Sequence, residues 1–224
     1  MLCLSLLVQS ICHNFYKSNL DNNTNCVAPM VIRKMQGGNK VTKTDAVKRF
    51  TTYLKSHNIR HVKDFENGTV RYTMEYMAEN APEKYVESSV WFYKDVAEVR
   101  GYYNQAGADI CKASEHRNSL LELLNFINAR VFLNCSDWNG LYESHMLYTP
   151  RMYLTVDGFY DITITTIINY DFWEIAPIET ADYMTAHCPE LLDKLAIPIF
   201  NVLKGQMSSD EAIAFIKEKI LLEA

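Results

Sequence analysis

At 224 residues and 25.9 kDa, with 48% hydrophobic content, the chain is long enough to bury a sizeable core, which excludes a disordered polypeptide. Twenty-two Lys and Arg against 27 Asp and Glu give a formal net charge of -5 and a pI near 5.7. No basic, phosphate-seeking surface is implied, so nucleic acid is set aside as a partner. The six cysteines, Cys3, Cys12, Cys26, Cys111, Cys135 and Cys188, include no Cys-x-x-Cys pair. A disulfide scaffold and a zinc ribbon are therefore unreadable, and the pattern fits a reduced, cytoplasmic protein.

Residues 1–40 read as a poorly patterned extension or linker, and 41–224 as a single α+β domain. Met1–Cys12 is an apolar run without a positive flank or a small-x-small cleavage site, and it is too short to span a bilayer. Three readings compete: a degenerate export signal, an interfacial anchor, or an upstream extension before a start at Met30 or Met35. The last is preferred, because consistent patterning begins only at Thr42.

From there the first helix is expected over Thr42–His57, with Val47, Phe50, Tyr53, Leu54 and His57 on one stripe and Thr42 as its cap. Residues 59–66 and 69–77 flank Asn67-Gly68, the two-residue signal of a tight hairpin turn. Residues 87–93 and 96–103 form a second hairpin turning at Lys94-Asp95, with Val90 and Phe92 on one face and Trp91 and Tyr93 on the other.

The clearest amphipathic helix runs over Ser114–Arg130, with Leu120, Leu123, Leu124, Ile127 and Val131 as its apolar face and Ser114 as its cap. Strands are expected next over Val131–Cys135 and Leu141–Tyr148, then over Arg151–Val156 and Phe159–Ile168 around Asp157-Gly158. Tyr160, Ile162, Ile164 and Ile168 share a face of the last of these. Pro177 and Pro189 are placed as first residues of helices. The segment Pro189–Lys204 is apolar over most of its circumference, with a kink expected at Pro198 and a stop at Gly205. Ser208 and Glu211 form a capping box for the final helix.

Hairpins without a βαβ alternation point to an antiparallel sheet packed against the central amphipathic helix and C-terminal helices. In this order of elements, LLELLNFIN, VFLN, the strands meeting at Asp157-Gly158, LAIPIFNVLKG and SSDEAI together resemble the YbjN-like family, which looks like type III secretion chaperones in fold. The resemblance implies a compact α+β unit, a tendency to dimerise, and a role in binding or regulating other proteins. It supplies no catalytic residue to carry over.

No motif fixes a chemistry. Cys111 lies within eight residues of Asp109, Glu115 and His116, but a thiol–imidazole pair would need hydrogen-bond reach. His187, Cys188, Cys111 and His116 lack ligand spacing, so no metal and no cofactor is expected. Asp171, Glu174, Glu179 and Asp182 surround Tyr170, Phe172 and Trp173 in an acidic-aromatic corner, the basis of an alternative small enzyme. Asp137, Glu143 and His145 form a looser set near Arg151. The preferred function is a non-catalytic, chaperone-like or regulatory module, cytoplasmic and homodimeric. It binds partner polypeptide on a sheet edge or aromatic face through Trp91, Tyr93, Trp138 and Trp173. An exported binding protein is the remaining alternative.

Overall fold

The computed structural model describes residues 40–131, 148–155 and 158–221. Helix α1, Lys43–Ser56, starts at Thr42, whose hydroxyl accepts from the Asp45 amide while the Asp45 carboxylate accepts from the Thr42 amide. This closes the box that satisfies orphan donors at a helix start. Strands β1, Val62–Glu66, and β2, Thr69–Met77, follow, joined at Asn67-Gly68 with φ of 49° and 77°. That pair of positive angles is what a two-residue hairpin turn demands.

Strand β2 leads through a one-turn helix at Pro82–Lys84 into β3, Tyr85–Phe92, and β4, Val96–Tyr103. Helix α2, Gln105–Ala113, comes next, capped by the Asn104 side chain on the Gly107 amide. The expected central helix is shorter than read: α3 spans Arg117–Phe126 and continues as a π turn over Ile127–Val131. Its five predicted apolar residues are all buried. Ser114 does not cap it in the expected manner. Its hydroxyl donates to the Leu203 carbonyl (2.6 Å) and accepts from the His116 amide, which ties the α2–α3 corner to the end of a later helix. Val131 belongs to the π turn rather than to a strand; the rest of the two strands expected over 131–148, apart from Tyr148, lies outside the described residues.

Strands β5, Arg151–Leu154, and β6, Ile162–Asn169, complete a six-stranded antiparallel sheet of order β1-β2-β3-β4-β6-β5. Helices α4, Phe172–Ile175, and α5, Pro177–Asp182, lead into a π turn at Tyr183–His187, and α6, Cys188–Leu203, runs on from it. Pro189 therefore sits within a continuing helical path and not at a fresh start. The wider turn just before it re-registers the ladder where proline has no N–H to give. The last helix, α7, spans Ser209–Lys219 behind its Ser208–Glu211 box.

The architecture is thus α+β, with the helices on one face of the sheet. That inner face carries Tyr72, Val90, Phe92, Val99, Ile164 and Ile168, all buried. Phe50 of α1 meets Tyr72 edge-on at 5.3 Å, and the Tyr103 hydroxyl donates to the Leu192 carbonyl of α6 at 2.7 Å. The Ser88 hydroxyl points to Met184, and Thr166 pairs with the Tyr183 hydroxyl, so the two inward polar groups find partners under the π turn.

Candidate functional site

Antiparallel register fixes which backbone groups point along the sheet, because hydrogen-bonded pairs alternate with non-bonded ones. The Tyr93 amide donates to Val96 across the β3–β4 turn at 2.9 Å, so the odd-numbered residues of β3 bond to β4 and the even-numbered ones to β2. Carried through the pairs Val70↔Phe92 and Arg71↔Asp64, this alternation turns Asp64 towards β2. The N–H and C=O groups of Lys63 and Phe65 then face outward from the sheet edge. Carried the other way through Gly101↔Ile164 and Arg151↔Thr165, it turns Met152 outward on β5.

The two edges are treated differently. At β5 the Asn128 side chain, delivered by the π turn after α3, donates to the Met152 carbonyl (2.9 Å) and accepts its amide (2.8 Å). One side-chain amide thus takes up the outward groups of Met152 as another strand would. At β1 no described residue takes up the outward groups of Lys63 and Phe65. Val62 is 60% exposed and Phe65 74% exposed, so the open edge also carries two apolar side chains. Lys63 lies over the Tyr72 ring at 5.3 Å on the inner face. Asp64 holds the Arg71 guanidinium at 2.8 Å on the outer one.

Trp91 and Tyr93 lie on that outer face, both half-buried, as their alternation requires. The register sets Trp91 between Arg71 and Glu98. Arg100 stacks on the Trp91 ring at 4.8 Å and donates twice to Glu98, at 2.8 and 3.1 Å. Tyr93 and Thr165 also donate to Glu98, each at 3.1 Å. Burial pushes the Glu98 carboxyl up, but the hydrogen bonds and charge of Arg100, with those of Tyr93 and Thr165, outweigh it and hold the group below its ordinary value. Burial, then Glu98, raises the Tyr93 phenol. The result is a fixed aromatic–guanidinium platform on the outer face of β3 and β4, separated from the open edge by β2.

Trp138 lies outside the described residues. Trp173 is only 1% exposed and packs against Phe50 and Phe92, so its ring offers a partner no surface; it is a core residue because α4 folds it under α1. The acidic corner around it is engaged in structure. Arg49 of α1 pairs with Glu174 at 3.3 Å and donates to the Trp173 carbonyl, while the Tyr53 hydroxyl donates to Asp182. Burial, with that bond, pushes the Tyr53 phenol up to about 12. Beside the corner, Lys48, Thr52, His57, Pro177 and Ile178 line an open cleft of about 520 Å³.

Cys111 and Cys188 are buried free thiols that burial pushes up to about 11 and about 12, far from the thiolate a nucleophile needs. His116 packs instead against Gly205, where an added Cβ would sit 2.6 Å from Nε2. Among the described residues no group of three or more His, Cys, Asp or Glu could hold a metal. Asp137, Glu143 and His145 lie outside the described residues. Sequence reasoning missed the difference between the edges, because no local pattern marks which strand ends the sheet.

No family model matches the chain, and neither does any curated protein or solved structure. Among the described residues no helix is long and apolar enough to cross a membrane.

Proposed function

We propose that this protein is a non-catalytic, chaperone-like or regulatory module that takes an extended segment of a partner polypeptide as a seventh strand on β1. The observation that carries the proposal is the contrast between a β5 edge whose outward groups at Met152 are taken up by Asn128 and a β1 edge with outward peptide groups at both Lys63 and Phe65. Main-chain bonds would supply affinity, and alternate side chains specificity. The YbjN-like resemblance of residues 42 onward points the same way. A cytoplasmic setting belongs to the proposal, supported by two free thiols, Cys111 and Cys188. So does a homodimer, for which exposed Ile175, Ile178 and Ile197 offer apolar side chains on the helices.

Phe65→Pro tests the edge. Its amide faces outward and its ring is exposed, so proline removes one docking donor without touching the β1–β2 ladder or the core. Partners captured from the native cell by the wild-type protein should be lost with the variant, at unchanged circular dichroism and melting temperature. Equal recovery of the same partners by both proteins would show that β1 is not the docking edge. Light scattering of the chain from Met35 onward, giving a dimer or a monomer, decides the homodimer.

A further inference from the structure

We infer that the segment docked on β1 is an antiparallel strand whose four central residues read apolar, basic, acidic, apolar; this rests on the edge-binding reading above. An antiparallel strand sets its successive residues opposite Phe65, Asp64, Lys63 and Val62, and directly opposed side chains share a face. On the inner side, exposed Phe65 calls for an apolar neighbour and Lys63 for a carboxylate. On the outer side, Asp64 accepts from Arg71 at Oδ2, so its carboxylate calls for a second cation from the incoming strand, and Val62 calls for a second apolar residue. The charges of Lys63 and Asp64 lie on opposite faces and have opposite signs. A partner with both charges reversed therefore meets repulsion on both sides of the sheet.

A second copy of the chain is the poorer occupant of this edge. Two-fold symmetry about an axis normal to the sheet brings a central residue opposite itself. Centred on Asp64 it sets two carboxylates face to face, centred on Lys63 two ammonium groups, and centred on Phe65 it opposes Asp64 to Glu66, and like charges directly opposed destabilise a pair of strands. The edge thus selects a different polypeptide, and its alternating charges choose the register.

Two blocked, fluorescently labelled decapeptides probe this, both with three threonines on each side. One has the centre Val-Arg-Glu-Phe and the other Val-Glu-Arg-Phe. Titrated by anisotropy with the full chain, the first should bind roughly tenfold more tightly than the second. Lys63→Glu should narrow or reverse that preference, and Phe65→Pro should weaken both peptides. If both peptides bind equally and Lys63→Glu changes neither, while Phe65→Pro abolishes both, the charge register is wrong and the edge reading stands. If neither peptide binds, or Phe65→Pro leaves binding intact, the edge reading itself falls.

Discussion

Asp193 offers the sharpest test of how the fold is held. It sits on α6, 6% exposed, and its carboxylate gathers three successive backbone amides from the β2–β3 connection. Oδ1 accepts from Asn80 (2.7 Å) and Ala81 (2.8 Å), and Oδ2 from Glu79 (2.9 Å) and the Asn80 side chain (3.4 Å). The same connection places Glu83 and Lys84 at φ of 54° and 62°, a conformation that costs an L-residue roughly 1–2 kcal/mol each. Asn104 helps hold it, donating to the Pro82 carbonyl at 2.6 Å. Asp193→Asn keeps one acceptor oxygen but turns an amide donor towards the Glu79 N–H. The loss of a charge-assisted bond and the opposed donors should cost about 3 kcal/mol. Asp193→Ala, which strands three backbone donors, should cost about 3–5 kcal/mol. For a domain of this size the Asn variant should melt about 6–12 °C lower. Urea and thermal unfolding followed by far-ultraviolet circular dichroism measure both. An alanine variant within about 0.5 kcal/mol of wild type would refute the clamp, since that is the range of an indifferent surface change.

Other outcomes follow from the same contacts. Leu124→Asp puts an unpaired charge into the core face of α3, and should abolish cooperative folding of the described domain in a single step; a two-step denaturation would show two separable parts. The His187 imidazole, its Nδ1 at 3.8 Å, and the Lys194 ammonium at 2.8 Å hold the Glu190 carboxyl down at about 2, from an ordinary 4.5. Its contribution is therefore full above pH 4.5 and lost as pH falls towards 2. The difference in urea midpoint between wild type and Glu190→Gln should shrink across that window, and a constant difference would contradict the assignment. Maleimide labelling at pH 7, resolved by peptide mass spectrometry, should leave Cys111 and Cys188 unmodified until denaturant is added; rapid native labelling of either would show that the site opens.

Local chemistry carried much of the fold into the sequence. The boxes at Thr42 and Ser208 and the Asn67-Gly68 turn each depend on residues within a few positions of one another, and each formed where expected. Helix α2 was not legible. Its QAGADICKA has a glycine at its centre, which weakens helix propensity, and Gly107 is needed because an added Cβ would lie 2.5 Å from Tyr103 Cβ. That requirement exists only once α2 folds back onto β4. Pro189 read as a helix start because proline favours that position. The π turn that lets the chain pass through it is set by packing of Tyr183 and Met184 beneath the sheet. At the candidate site, alternation correctly put Trp91 and Tyr93 on the face opposite Val90 and Phe92. Trp173 looked the same in sequence, yet its burial depends on α1, more than a hundred residues earlier. The closing of β5 by Asn128 is likewise a long-range event, and no pattern near Lys63 announces that its strand ends the sheet.

Residue-resolved amide exchange of the free protein tests the open edge most directly. Lys63 and Phe65 should exchange at least roughly a hundredfold faster than Asp64, whose amide bonds to β2. Met152 should be protected, and Asn128→Ala should release it. Protection of Lys63 and Phe65 equal to that of Asp64 would mean that the β1 edge is already filled, and would contradict the proposed docking of a partner strand there.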